Sequence, residues 1–419
     1  MSTRHLLRDH GPTIGFGFLL ALLSSFGQTF FIALSVPGIQ RDFGLSHGAV
    51  GMVFSVATLI SGLAMIHVGA VLDRVPVRLY ALVSLCGLAL AALAMSFVAG
   101  IIGLAMVILA LRLFGQGMLS HAAVTSVARL PQAVRGRSLG FATLGFQVGA
   151  GLIPAAGIAV ITLLGWDMAW RVVAGFLALA LLVMFALHPR ETAIPPGDGP
   201  GQAAHQPSLA QRFHLRRRDV LRDARFWILF PAMLAAPAIS TGYFFHQRYI
   251  AEIRGWGVEL LGAGMTAFAL ASVAGAMAAG FLADRVGSVR VSRFFLVPLA
   301  LAGLLLLGEG AHDVPGLHGT PTAQAIATAL AFFALVGLTG GASQVTITGA
   351  LADLYGTDRI GMIRAMAAAI MVVASALTPG LFGIAVDGGV SFGVIGLAGA
   401  AYCLAASGLT ALLPARPMH

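Results

Sequence analysis

Two stretches of this 419-residue chain are near-copies of each other: Gly69-Ala-Val-Leu-Asp73-Arg74-Val-Pro76-Val-Arg78 and Gly280-Phe-Leu-Ala-Asp284-Arg285-Val-Gly287-Ser-Val-Arg290. Each closes one long apolar run and precedes another, so each reads as a short charged turn between two hydrophobic helices. A turn of this kind, repeated in the same surroundings, means that the chain is built twice. The leading glycines, Gly69 and Gly280, are expected to let neighbouring backbones approach closely.

About 20 apolar residues cross the hydrocarbon core of a bilayer as a helix. Twelve runs meet that requirement, at 14–36, 49–71, 79–99, 101–127, 139–163, 169–187, 226–249, 261–283, 294–307, 324–351, 365–386 and 392–413. The ninth is short, and its helix is expected to begin ahead of Arg293. With 58% hydrophobic and 10% charged residues, the chain has too few charges to cover soluble domains of this size. It is expected to be an all-α integral membrane protein. A formal charge of +9 would suggest nucleic acid in a soluble chain. Here every basic residue is Arg and these fall in short loops, which is a topology signal and not a nucleic-acid patch. Cys86 and Cys403 lie inside apolar runs, so neither a disulfide framework nor a metal site is indicated. The first apolar run follows Arg4 and Arg8 as a signal peptide would, but it is long enough to span and reads as a retained helix.

The repeat extends beyond the turns. Asp73 maps onto Asp284 at an offset of 211, which also pairs Gly51 with Gly262 and Ser55 with Thr266; later the offset becomes 224, pairing Gly117 with Gly341 and Arg135 with Arg359. The added residues fit a longer loop around Gly308 to Thr322. Two six-helix pseudo-symmetric halves, 1–187 and 226–419, are therefore expected, joined by a 188–225 linker. That linker holds Pro195, Pro196, Gly197, Gly199, Pro200 and Gly201, then Arg212, Arg216, Arg217, Arg218, Arg222 and Arg225. Its first part has the composition of a disordered segment, and its Arg-rich part suits a helix on an anionic leaflet. About 20 of the 25 Arg fall on the side of the termini, and about 4 (Arg41, Arg171, Arg248, Arg254) on the other. Both termini are therefore expected in the cytoplasm.

The doubled Gly-x-x-x-Asp-Arg turn with its trailing Arg is the loop motif of the major facilitator superfamily, and the chain resembles that superfamily over almost its whole length. The resemblance implies twelve transmembrane helices around a substrate site near the midplane, between halves that rock to alternate access. It also implies a conformational latch at Gly69, Asp73, Arg74 and Arg78, with a second copy at Gly280, Asp284 and Arg285. In the superfamily the first-half carboxylate is thought to cap a helix of the other half, here span eleven near Arg364 to Met366. Pro76 stands where that motif has Gly. The run Arg112-Leu-Phe-Gly-Gln-Gly117 resembles the superfamily's span-four motif, in which an Arg implicated in coupling precedes a Gln-Gly pair; here the added Gly115 displaces the pair by one residue. Span five, with Gly145, Gly149, Gly151, Pro154 and Gly157, is similar to an antiporter motif at altered spacing, and reads better as a bent helix with a small-residue face. Span eight carries another such face at Ala267, Ala271, Gly275, Ala279 and Ala283.

No enzyme motif is present: there is no His-Glu-x-x-His, Gly-x-Ser-x-Gly, phosphate loop or His/Cys cluster. Neither an enzyme nor a cofactor is indicated. The span interiors hold no Asp or Glu, since Asp167, Glu252, Glu309 and Asp387 sit at or beyond span ends, which argues against a cationic substrate. The polar residues within spans are Gln28 and Thr29, Arg112 and His121, Gln147, Tyr243 and His246, and Gln344 with its Ser and Thr neighbours. Most Ser and Thr in such helices bond to their own backbone. Arg112 stands out, because an Arg at mid-bilayer costs about 2.5–3.5 kcal/mol on lenient scales and is usually paired, hydrated or functional. Gln28, at the same depth, is its expected partner. At 100° per residue His121 lies opposite Arg112, so one of the two is structural. His246 fits either a proton acceptor or an interfacial anchor beside Tyr249.

These observations favour a monomeric secondary transporter in a bacterial inner membrane. Its expected substrate is a small organic anion such as a monocarboxylate, with a proton as a potential co-substrate. Efflux of neutral amphiphiles or drugs and a non-transporting membrane receptor are the alternatives.

Overall fold

A lipid-exposed backbone has no water to bond with, so it must satisfy its N–H and C=O groups within itself, and an apolar chain of this kind is driven into helices. The computed structural model describes residues 3–187, 217–307, 322–356 and 360–414, and among them the regular elements are helical. The first half begins with α1 (Thr3–Leu23), which passes through a tight turn at Ser24–Gly27 into α2 (Thr29–Ile32), then through Ala33–Ser35 into α3 (Val36–Phe43). Next come α4 (His47–Val71), α5 (Val77–Met95) and α6 (Gly100–Leu111). A π-helical stretch at Arg112–Leu119 leads into α7 (Ser120–Ala128), followed by α8 (Gln132–Leu164) and α9 (Trp166–Leu187).

The end of the linker carries α10 (Arg217–Arg222), and the second half opens with α11 (Ala224–Phe245), which continues past a joint into α12 (Gln247–Ile253). It goes on with α13 (Val258–Val286), α14 (Ser288–Val291), α15 (Val297–Leu304), α16 (Ala323–Tyr355), α17 (Ile360–Asp387) and α18 (Phe392–Thr410). Ten described helices are each long and apolar enough to span, and the bent pair Arg8–Gly27 and Thr29–Phe43 makes an eleventh. The remaining span is the ninth. It begins at Ser288, ahead of Arg293 as expected, but its helix is interrupted between Val291 and Val297. Further boundaries differ from expectation: the first span begins at Thr3 and runs to Phe43, the fifth begins at Gln132 and the eleventh at Ile360. The architecture is the expected twelve-helix, two-half arrangement. Most of the linker, with its Pro/Gly segment, lies outside the described residues.

Two seams join the halves. In one, α4 lies on α17: Gly51 rests against the Pro379 carbonyl, and Gly383 against that of His47, with no room for a side chain at either. In the other, α8 lies on α13, where a Cβ on Gly262 would sit 3.0 Å from Ala155 Cβ and one on Gly151 3.3 Å from Ala269 Cβ. Within the second half, α13 packs along α16 through Gly275 against Leu338 and through Gly337 and Gly341 against Phe268 and Ser272. Of the small-residue stripe on α13, Gly275 lies against the backbone of α16 with no room for a side chain. The small-residue face of α8 is present too, with Gly145 against the Phe18 carbonyl and Gly157 against Phe31.

The turn glycines differ from expectation. A Cβ on Gly280 would meet nothing within 4 Å, and one on Gly69 would meet only the side chains of Met65 and His121. The contacts between halves gather at the opposite end of the bundle from the two charged turns, so in this conformation those turns are not wedged against a facing helix.

Candidate functional site

Irregular backbone at membrane depth is tolerated where it is enclosed by protein or lines a cavity, and π-helical turns frequently mark functional sites. Two such irregularities face each other in the first half. Gln28 is extended (ψ 153°) and bends the first span by 44°. Opposite it runs the π-helical stretch from Arg112. A Cβ on Gly27 would lie 2.7 Å from Gly115 Cα and 2.8 Å from Gln116 N, so only glycine permits this approach. The stretch also accounts for the displaced Gln-Gly pair, because a π-helical turn accommodates one additional residue within a helix.

Arg112 is 3% exposed and reaches into the break. Its Nη1 donates to Gly27 O and to Thr29 Oγ1, both at 3.2 Å. The guanidinium lies 5.2 Å from the centroid of Phe54, which is itself 4.8 Å from Phe245. Hydrogen bonds to charged groups are worth about 1.5–3 kcal/mol each, and a desolvated cation–π contact about 2 kcal/mol. Together these offset a burial cost of the size given above. Nε has no hydrogen-bond partner, and no ion pair to Arg112 is present among the described residues. The expected Gln28 partner is a correction: the break presents its flanking carbonyl and hydroxyl to Arg112, and the hydrogen bonds to it come from Gly27 and Thr29.

The same broken segment is held from the other half. Gln247 Nε2 donates to Phe30 O at 2.6 Å, and Gln247 Oε1 is buried without a partner. Sequence reasoning missed Gln247, although it stands in the polar run His246-Gln247-Arg248 inside an apolar segment. The other candidates are dispersed. Gln147 is half-buried on α8 with its Oε1 unpartnered. Tyr243 is buried within the second half, its hydroxyl 3.1–3.2 Å from where Cβ atoms on Gly303 and Gly399 would sit. His246 is buried, with Nε2 3.1 Å from Pro379 O. Gln344 on α16 and His121 on α7 are exposed. His121 lies beside Gly69, near the first charged turn. Thr29 and Arg112, then, are in direct contact; Gln28 and Gln247 adjoin them.

At the turn end, Asp73, Arg74, Asp284 and Arg285 are exposed. Asp73 has no side-chain hydrogen bond or ion pair among the described residues. Arg129 Nη2 braces the first turn by donating to Leu72 O at 2.9 Å. Asp353 braces the second by accepting from Ser288 N at 2.9 Å and Val289 N at 3.3 Å. At the sealed end, Asp387 accepts from His47 N at 3.1 Å and Gly48 N at 2.7 Å, and so caps the first turn of α4. Ahead of α11, the Asp223 carboxyl is raised by burial but lowered further by the hydrogen bonds from Arg225, and it lies below its ordinary value. No group of three His, Cys, Asp or Glu is placed to hold a metal among the described residues.

Residues 17–247 match the family model described as Major Facilitator Superfamily. No curated protein matches the chain. Among solved structures, the nucleoside transporter NupG superposes with a TM-score of 0.72 at 15% identity, over 96% of this chain and 97% of that one. A bacterial homologue of the human lysosomal transporter Spinster, inward-facing and occupied, gives 0.63 at 13% identity over 95% of each chain. The same homologue, unoccupied, gives 0.61 at 15% identity over 98% and 96%.

Proposed function

The chain belongs to the Major Facilitator Superfamily, and from that premise we propose that this membrane transporter moves a small organic anion, such as a monocarboxylate, by alternating access. The observation that carries the reading is Arg112: a buried guanidinium at facing helix breaks, bonded among the described residues to neutral acceptors, with Nε unpartnered and no carboxylate of those residues paired to it. A planar fork with spare donors suits a carboxylate. In this reading Arg112, Thr29 and Gln28 face the substrate from the first half and Gln247 from the second. Gln147 and Gln344 are further contacts.

We place the protein as a monomer in a bacterial inner membrane with both termini in the cytoplasm, from the Arg distribution. The charged turns are then cytoplasmic and the sealed end is periplasmic. The linker from residue 188 to 225 connects two units that rock about the two seams, and a proton accompanies the substrate. Asp73 serves as the latch of the opposite state, in which it caps the start of α17.

A second reading is supported by the rings beside the break. Phe30 packs edge-on to Phe244 (6.4 Å) and Phe244 to Phe268 (4.9 Å), an aromatic wall that suits a neutral ring-bearing or amphiphilic solute. Thermal unfolding of purified protein against panels of monocarboxylates, neutral amphiphiles and hydrophobic cations separates the two. Stabilisation by an acid and loss of that stabilisation in Arg112→Gln are expected. Stabilisation by neutral solutes alone overturns the anion assignment.

A further inference from the structure

His246 stands at the joint between α11 and α12, where the backbone leaves helical geometry (φ −96°, ψ 12°). It is 2% exposed. Its ring lies 5.5 Å from Phe392 and 6.2 Å from His47, and Nε2 is 3.1 Å from the Pro379 carbonyl. A carbonyl oxygen can only accept, so Nε2 carries the hydrogen. Nδ1 is then the basic atom of the neutral ring.

The residue is enclosed but not cut off from the sealed end. A cavity of about 40 Å³ touches His246, and is lined also by Ala33, Val36, Arg248 and Phe245. One water needs about 10–15 Å³ of such space. The remaining lining of this cavity (Pro37, Gln40, His47, Tyr249 and Glu252) also lines a surface depression of about 610 Å³. The polar groups of Gln40, His47, Tyr249 and Glu252 supply the partners a water in that passage requires.

We propose that His246 is the proton-loading site of the transport cycle, fed by water from the sealed end. The inference rests on the transporter reading above but not on the identity of the substrate. A hydronium in the passage gives its proton to the Nδ1 lone pair: one O–H bond breaks, one N–H bond forms, and a neutral water is left behind. The consequence follows from where the ring sits. His246 ties the α11–α12 joint to Pro379 of α17, and α4 lands on the same place through Gly51 and through Ser55, whose Oγ accepts from Gly380 N at 3.0 Å.

The charged and titratable groups around the ring are Arg41 of α3, His47 of α4, Arg248, Tyr249 and Glu252 of α12, and Asp387 of α17, while α18 faces it with the uncharged Phe392. Asp387 is engaged by the α4 backbone, and Glu252 lies at the mouth of the passage with Arg248 and Arg41 nearby. An imidazolium at His246 therefore has no carboxylate bonded to it while the seam is closed. Burying such a charge is costly, so loading the proton favours opening of this end.

Two measurements test the proposal, and neither uses a substrate, so the anion assignment can fail without touching it. The first is a spin-label distance between Leu164→Cys and Val390→Cys, on opposite halves at the sealed end, with Cys86 and Cys403 replaced, in lipid nanodiscs. From about pH 8 to about pH 5, the range over which histidine charges, the distribution should lengthen in the parent protein. It should stay at its high-pH form in His246→Gln, which keeps a donor for Pro379 O, and still lengthen in His47→Gln. The second is hydrogen–deuterium exchange at the imidazole C2–H of the unsubstituted protein, read for His246 by mass spectrometry, which needs no variant to fold. It should titrate as a water-reached histidine. A parent distribution indifferent to pH, a His246→Gln variant that responds like the parent, or a His246 ring that does not exchange each overturns the assignment.

Discussion

Ser55 of α4 and Thr266 of α13 hold equivalent places in the two halves, 211 residues apart, and each bonds to the opposite half: Ser55 Oγ accepts from Gly380 N at 3.0 Å, and Thr266 Oγ1 donates to Gly151 O at 3.1 Å. One helical turn before each stands the glycine that brings the backbones together, Gly51 and Gly262. The two seams are thus made by the same pair of positions, but they are not equal. Asp387 adds a carboxylate across the N-terminus of α4, whereas the residue that the 224-residue offset places at the equivalent point of α8 is the exposed Leu163.

A methyl at Gly51 meets the backbone of Pro379, which cannot yield as a flexible side chain would, while one at Gly262 meets Ala155. Overpacking of this kind costs about 1–3 kcal/mol. Gly51→Ala is therefore expected to depopulate the sealed state by about 5-fold or more, and Gly262→Ala by less. Gly280→Ala, whose Cβ meets nothing, should leave the Leu164–Val390 distance unchanged. Equal effects at Gly51 and Gly280 would remove the seam argument.

Asp387 and Asp73 should act in opposite senses. A carboxylate at a helix N-terminus is worth about 0.3–1 kcal/mol, and up to about 2 when partly buried. Asp387 is exposed, so the lower range applies: Asp387→Asn weakens the cap on α4 and should shift molecules out of the sealed state by about 2- to 5-fold. Asp73, which has no side-chain bond here, should matter only in the other state, so Asp73→Asn should enrich the sealed one. Labelling of single cysteines at each end by a membrane-impermeant thiol reagent reads both, and shifts in the same direction would contradict the two-latch scheme.

The repeat made the architecture legible, because an offset that aligns the two turns also aligns Gly51 with Gly262 and Ser55 with Thr266. What those residues touch was not legible, since it depends on which conformation brings the far ends together. The break at Gln28 gives no signal, having neither Pro nor Gly at the extended residue itself; shared depth makes Gln28 the expected side-chain partner, whereas its neighbours' oxygens do the bonding. The π-helical stretch was visible only as a motif out of register by Gly115. Asp387 reads in the sequence as a span-end residue, and a span end is where a carboxylate meets the first turn of a facing helix. Periodicity cannot report that, because the contact joins residues 340 apart.

Asp223 caps α11 by accepting from Arg225 N at 2.9 Å, and its Oδ2 pairs with Arg225 Nη2 at 2.7 Å. Its carboxyl lies below the ordinary value of 3.8. A depressed folded-state value contributes stability that is present above that ordinary value and is lost as pH falls through the folded-state one. Asp223→Ala should cost about 1 kcal/mol of stability as a lost cap. The difference from the parent should shrink in thermal melts below about pH 4; a difference that is the same at pH 7 and at pH 3 would mean the charge contributes nothing.

Arg112 allows the sharpest division between a binding and a structural role, because the bonds it makes are the ones a structural Arg would make. Its two acceptors are neutral and belong to the broken first span, so the guanidinium also holds that break in place. Arg112→Lys keeps a charge able to reach an oxygen but loses the fork, and Arg112→Met removes the charge together with its burial cost. A purely structural Arg predicts that variants which fold also work, since replacing a buried polar group with an apolar one of similar volume can be near neutral in stability. A substrate-binding Arg predicts that both variants fold, with melting temperatures within a few degrees of the parent, and that both lose acid-induced stabilisation and transport by at least about 10-fold, the size of one lost charge-assisted bond of about 1.5–3 kcal/mol. Stabilisation by the acid that survives in Arg112→Met would remove Arg112 from the substrate contacts, and Gln147 or Gln247, whose buried carbonyl oxygens lack partners, would be the next residues to change.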